Sequence, residues 1–224
     1  MAGMFGEAKL EALVERLQAQ SQAQEEGTRA YFRRRGEAGE LSWEGLDADA
    51  HAFMADKLVA LEPAKAEFCW RLCRAIDARR VVEVGTSHGV STLYLADAVR
   101  ANGGGVVIGT EWEAEKAKIA RGHWAEAGLS HLIDLREGDL RETLKHLEGP
   151  IDFVLMDIWT EMARPAIELI APHLGVGAVI CADNTGGFEE PYRAYFAFVR
   201  DPANRLSTMT LPFQGGFEFT VKLP

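Results

Sequence analysis

The chain has 224 residues, 47% of them hydrophobic and 26% charged, enough for one α/β domain that needs neither disulfide staples nor a structural metal. Its formal net charge of -10, with Lys and Arg mostly interleaved among acids, argues against a phosphate-tracking surface, so no nucleic-acid partner is expected. No run approaches a membrane span and no basic-then-apolar leader opens the chain, so no membrane association is expected and the cytoplasm is the default address.

Residues 7–26 place Leu10, Leu13, Val14 and Leu17 at helical spacing. This helix is expected to run into Gly27, the basic cluster Arg33-Arg34-Arg35, Gly36 and Gly39, a solvated helix end or loop. Residues 1–46 therefore read as an amphipathic helical extension, set before a main domain over 47–224. Its apolar face could cover an active site, pack on the domain or join a homodimer interface, and the sequence does not choose among these. A second helical stretch follows from residue 47, with Phe53, Met54, Leu58, Leu61, Phe68, Leu72 and Ile76 as its apolar positions and Pro63 as the expected break. Cys69 and Cys73 share one face of it, Cys181 falls in an apolar strand, and all three read as small buried hydrophobes in a reducing compartment.

After Arg80 short β-branched runs alternate with longer helical patterns. Strands are expected at 81–85, 106–112, 131–138, 151–158 and 177–184, with crossover helices at 91–101, 113–127, 139–147 and 161–174. That alternation marks a parallel sheet covered on both faces. A last helix over 191–200 precedes strands at 206–213 and 217–223. The link Gln214-Gly215-Gly216 is so short that these two must be antiparallel neighbours. The expected fold is a Rossmann-like, mostly parallel seven-stranded α/β sheet with an antiparallel last strand.

The first strand runs into Glu83-Val84-Gly85-Thr86-Ser87-His88-Gly89-Val90-Ser91, a glycine-bearing turn where open α/β sheets bind nucleotide-like ligands. The loop lacks the middle glycine of a dinucleotide fold and the lysine of a Walker loop, so phosphate cradling is disfavoured. S-adenosylmethionine carries no phosphate. Its carboxylate suits the amides and hydroxyls of Thr86, Ser87 and Ser91 at a helix start, and its ammonium and ribose hydroxyls want acids such as Glu83 and Glu111. Trp112 is a candidate for the adenine face, and Gly138-Asp139 form a second glycine-plus-acid turn on the same edge, where Asp139 is equally an N-cap.

The fourth strand ends Asp157-Ile158-Trp159 and the fifth Asp183-Asn184. In a parallel sheet Asp157, Asp183 and Asn184 converge as a hard, oxygen-only ligand set that suits magnesium. A metal there would lower the pKa of an acceptor hydroxyl, which makes Asp157 the candidate catalytic residue, with Asp157 and Trp159 also beside the cofactor.

Taken in order, EVGTSHGVS, GTEWE, EGD, MDIW and ADN, then a terminal hairpin, resemble the S-adenosylmethionine-dependent O-methyltransferases of the catechol and caffeoyl-coenzyme A type, over roughly residues 50–224. The resemblance implies cofactor contacts at Glu83, Gly85, Gly89, Ser91 and Glu111 and metal ligation by Asp157, Asp183 and Asn184. In one place the chain departs from it. The family places a basic lysine a few residues after the first metal aspartate, where this chain has Thr160. Metal, water, His51 and His88 are the remaining candidates to take the acceptor's proton. The leading reading is a cation-dependent O-methyltransferase for a small, hydroxylated and possibly aromatic acceptor. A metal-independent methyltransferase and a non-catalytic S-adenosylmethionine-binding module are the alternatives. Thr185-Gly186-Gly187-Phe188 are expected to line the acceptor pocket, and Tyr192, Tyr195, Phe196 and Phe198 to be mainly core.

Overall fold

A computed structural model describes residues 3–40, 47–186 and 190–224. Helix α1 runs Ala8–Glu37, α2 Ala48–Met54 and α3 Pro63–Ala75. The alternating region follows as β1 (Arg80–Val84), α4 (Val90–Ala101), β2 (Val106–Glu111), α5 (Ala114–Ala127), β3 (Ile133–Glu137), α6 (Leu140–Thr143), β4 (Ile151–Met156), α7 (Thr160–Ile170) and β5 (Leu174–Asp183). Helix α8 (Arg193–Val199) and the hairpin β6 (Leu206–Leu211) and β7 (Phe217–Lys222) end the chain.

The seven strands form one sheet in the order β3-β2-β1-β4-β5-β7-β6, with β1 to β5 parallel and β7 antiparallel to both β5 and β6. This is the expected fold. The period-2 geometry of a strand sends neighbouring residues to opposite faces. Val81, Phe153 and Leu155 accordingly join α1, α3, α4 and α5 in one core layer, while Val82, Val154 and Met156 join α6, α7 and α8 in the other. The strand order reverses about β1 and β4, so a crevice opens at their carboxyl ends.

Three elements differ from expectation. Helix α1 continues through Gly27 and Gly36, although each mid-helix glycine costs about 1 kcal/mol relative to alanine. Tertiary partners offset that cost: Tyr31 stacks on Phe53 at 3.8 Å, and the Arg35 guanidinium pairs with Asp47, the residue that caps α2. Arg35 is thus buried rather than part of a solvated cluster. The second helical stretch is interrupted earlier than Pro63: α2 stops at Met54, and Pro63 instead opens α3 at a position where its missing N–H costs nothing. Helix α6 is a single turn, with Leu144 and Leu147 buried beyond it.

The first half of α1 packs on the domain: Leu10, Leu13, Val14 and Leu17 are buried in the layer that holds α4. The three cysteines are free and buried, as expected. No helix among the described residues is long and apolar enough to cross a membrane. Leu17 is almost fully enclosed. Leu17→Ala is expected to lower unfolding free energy by about 2–5 kcal/mol in urea titration, because the cavity cannot close around a helix anchored at both ends.

Candidate active site

A cavity of about 640 Å3 opens at the carboxyl ends of β1, β2, β3 and β4. Its floor exists because two backbones touch. The Asp157 amide donates to the Val84 carbonyl at 2.9 Å, and Gly85 sits at φ 93 against the Asp157 carbonyl, where a Cβ would overlap that oxygen. Gly89, at φ 74, heads α4, and a side chain there would collide with the Trp124 indole, whose N–H donates to the Gly89 carbonyl at 3.1 Å.

Of the residues singled out in sequence, Gly85, Thr86, Ser87 and Ser91 line the cavity from the first loop. Glu111, Trp112 and Gly138 line it from the next two strand ends, and Asp157, Trp159 and Asn184 from the fourth and fifth. Glu83, Gly89, Asp139 and Asp183 lie outside its lining. Glu83 is fully buried beneath the loop and accepts from the hydroxyls of Thr86 (2.9 Å), Ser91 (2.7 Å) and Thr92. Burial pushes its carboxyl up to about 7 against these three donors. Glu111 accepts from the Ser87 amide at 2.7 Å and the Glu113 amide at 2.8 Å, so this acid both faces the cavity and clamps the loop. Asp139 caps α6 through the Arg141 amide and pairs with the Arg141 guanidinium, which holds its carboxyl below the usual range. Trp112 and Trp159 are 67% and 42% exposed, flat aromatic surfaces at the cavity rather than core.

Below the fourth and fifth strand ends the electrostatics turn on a residue the sequence reading missed. Lys65, from α3, is buried and its ammonium pairs with Asp183 Oδ1, which also accepts from the Asn184 amide at 2.7 Å. Asn184, at φ 58, follows directly, and the Tyr192 hydroxyl donates to the Asp183 carbonyl at 3.0 Å. Asp157 is half-buried, and its carboxylate has no hydrogen-bond partner among the described residues. Burial, then the charges of Asp183 and Glu83, raise the Asp157 carboxyl well above the ordinary range, with Lys65 opposing. Lys65 was legible in principle, since it lies on the same stripe of α3 as Cys69 and Cys73, and a lone charge on an apolar stripe implies a buried partner.

Of the two histidines, His51 is exposed at the cavity wall. His88 is buried, and burial, then Lys116 and His123, lower its pKa to about 4, so it stays neutral near pH 7. Thr160 opens α7 and offers no charge. Gly187 and Phe188 lie outside the described residues, while Thr185 is buried and the Gly186 amide donates to the Gly215 carbonyl at 2.9 Å. Tyr192, Tyr195 and Phe196 are core, as expected, while Phe198 is only partly buried against the same layer. The upper wall comes from Met54 at the end of α2 and from Val59, Ala60 and Leu61 in the segment between α2 and α3, a stretch the sequence patterning read only as a broken helix.

This sheet order and this loop architecture define a class I methyltransferase fold. Residues 82–185 match a family model described as a methyltransferase domain. The chain is 34% identical over 127 residues to a catechol O-methyltransferase of Mycobacterium tuberculosis, covering 56% of this chain and 57% of that one. It is 27% identical over 161 residues to a caffeoyl-CoA O-methyltransferase of Petroselinum crispum, covering 64% of each. Among solved structures, the O-methyltransferase from Bacillus cereus in complex with SAH (S-adenosylhomocysteine) superposes with a TM-score of 0.66 at 25% identity, over 73% of this chain and 82% of that one. In fold and in sequence the chain is similar to the class I S-adenosylmethionine-dependent O-methyltransferases. It spans less than two thirds of the length of the two named enzymes.

The raised Glu83 carboxyl carries a pH signature. Its pKa moves from 4.5 to about 7 on folding, so the folded chain binds this proton more tightly and the contribution is fully present below pH 4.5. It is lost as pH rises toward 7, by about 3 kcal/mol in all. Chemical denaturation across this window should give a shallower decline for Glu83→Gln than for the wild type, and equal slopes would show that Glu83 ionises normally.

Proposed function

We propose that the protein transfers the methyl group of S-adenosylmethionine to a hydroxyl oxygen of a small acceptor held in this cavity. The carbon–oxygen bond forms as the carbon–sulfur bond breaks, the bonding pair stays on sulfur, and the hydroxyl proton departs. The observation that carries the reading is the carboxylate of Asp157. It faces the cavity with no hydrogen-bond partner among the described residues, next to an Asp183 whose Oδ1 is held by Lys65 and the Asn184 amide.

In this reading the cofactor lies along the ends of β1, β2 and β3. Thr86, Ser87 and Ser91 meet its amino-acid head, Glu111 its ribose, and Trp112 and Gly138 the adenine end. Glu83, Gly89 and Asp139 act from behind, by holding the loops in shape. The acceptor lies toward Asp157 and Trp159. The names of the mycobacterial and parsley relatives, which act on a catechol and on caffeoyl-CoA, support a hydroxylated aromatic as the acceptor.

The oxygens left free fit a divalent cation. Asp157, the second oxygen of Asp183 and the Asn184 amide oxygen are hard donors, and Gly215, lacking a side chain, leaves room beside Asn184 Oδ1. Among the described residues no group of three or more His, Cys, Asp or Glu is arranged to hold a metal, so any cation keeps much of its water. Magnesium held there would supply positive charge beside the acceptor oxygen and make its proton easier to lose. One observation favours a second, metal-independent reading: the Lys65 ammonium already brings a positive charge to Asp183.

Titration calorimetry with S-adenosylhomocysteine, together with turnover of catechol in magnesium and in EDTA, separates these. Cofactor binding that survives EDTA while turnover collapses is the expected result, and turnover indifferent to EDTA selects the second reading. Asp157→Asn is expected to abolish most turnover while leaving S-adenosylhomocysteine affinity within about threefold, or roughly 0.7 kcal/mol. Absence of cofactor binding in the wild type would overturn the proposal.

A further inference from the structure

The segment Ala55–Glu62 belongs to neither a helix nor a strand, yet Val59, Ala60 and Leu61 form part of the cavity wall. A segment without a ladder must find other partners for its backbone groups. It finds them on α1. Gln18 Nε2 donates to the Leu61 carbonyl at 3.1 Å, the Ala60 amide donates to Ser21 Oγ at 3.0 Å, and the Leu58 amide donates to Gln24 Oε1 at 2.9 Å. Residues 18, 21 and 24 follow one another up one side of the helix, one turn apart, while their partners run down the segment from 61 to 58. The helix thus offers side-chain amides and a hydroxyl where a neighbouring strand would offer backbone.

Both ends of the segment are also tied. At its start, α2 is clamped to the distal half of α1 by the Tyr31–Phe53 stack and the Arg35–Asp47 pair, and α2 presents His51 and Met54 to the cavity. At its end, Pro63 opens α3, whose Lys65 reaches Asp183. The wall is therefore strung between the N-terminal helix and the acid pair at the ends of β4 and β5, the side of the cavity assigned above to the acceptor.

We infer that Gln18, Ser21 and Gln24 are positioning residues that set the height of this wall, and that through it the N-terminal helix determines which hydroxylated acceptors fit. The inference rests on the methyl-transfer reading for its second half only. Val59, 52% exposed, is the side chain this ladder holds at the mouth, so a loosened ladder admits bulkier acceptors and holds small ones less well.

The test uses the full chain and the double variant Ser21→Ala/Gln24→Ala, with Ser21→Thr as the conservative control that keeps the hydroxyl. Hydrogen–deuterium exchange is read on the peptide covering 57–62. The Leu58 and Ala60 amides should exchange at least about tenfold faster in the double variant, with the sheet unchanged and Ser21→Thr like the wild type. Kinetics with catechol should show a KM raised several-fold with kcat and S-adenosylhomocysteine affinity nearly unchanged. Preference should shift toward a bulkier dihydroxylated aromatic such as a flavonoid. Unchanged exchange at 57–62 would overturn the ladder. Faster exchange with unchanged acceptor preference would overturn its role in selection. A wild type that turns over no acceptor would sink the methyl-transfer reading and the selection claim together, while the exchange result still decides the ladder.

Discussion

Three carboxyl groups and one ammonium meet at the carboxyl ends of the central strands, and their imbalance governs the rest of the site. Each acid is stabilised differently. Glu83 is surrounded by three hydroxyls, Asp183 is paired with Lys65 and an amide, and Asp157 has no hydrogen-bond partner among the described residues. A buried ammonium left without its acid, or the acid without its ammonium, is strongly destabilising, on the order of 3–5 kcal/mol. Helix α3 is therefore bound to the end of β5 by charge as well as by packing. The chain preceding α3 has to cross the cavity mouth to bring Lys65 there.

The same constraint explains why Glu83, expected at the cofactor, faces inward, while Glu111 both faces the cavity and holds the loop. Glu83 and Glu111 organise the loop after β1 from below and from the side, by accepting from its hydroxyls and from the Ser87 amide, and so fix its shape at the start of α4. A preformed loop loses less entropy on binding than one that must be ordered by its ligand. Gly85 contributes at the level of backbone: with its Cβ absent, β1 and β4 close to direct contact, and Asp157 is delivered to the cavity floor.

The departure at Thr160 takes on a different meaning beside Lys65. A lysine does stand near the acid pair, but it arrives from a helix nearly a hundred residues earlier and touches Asp183. Its charge tempers the repulsion between Asp157 and Asp183 rather than adding a freely exposed amine at the cavity. The similarity to methyltransferases includes residues 82–185, whereas the cavity wall proposed to select the acceptor is built from α2 and the segment after it, with α1 behind them.

Local patterning by itself determined the seven strands, their parallel core with the reversed last strand, the burial of the cysteines and the convergence of loop residues at one sheet edge. These follow from periodicity, turn residues and chain direction, which act over a few residues and leave a mark in the sequence. Only the tertiary structure decided the length of α1, the burial of Arg35, the inward turn of Glu83, the placing of Lys65 on Asp183 and the ladder from Gln18, Ser21 and Gln24 to residues 58–61. Each of these is a polar contact between positions distant in sequence or a side chain's choice between two faces. Such choices depend on which donors and acceptors folding brings within reach, and no local pattern records them.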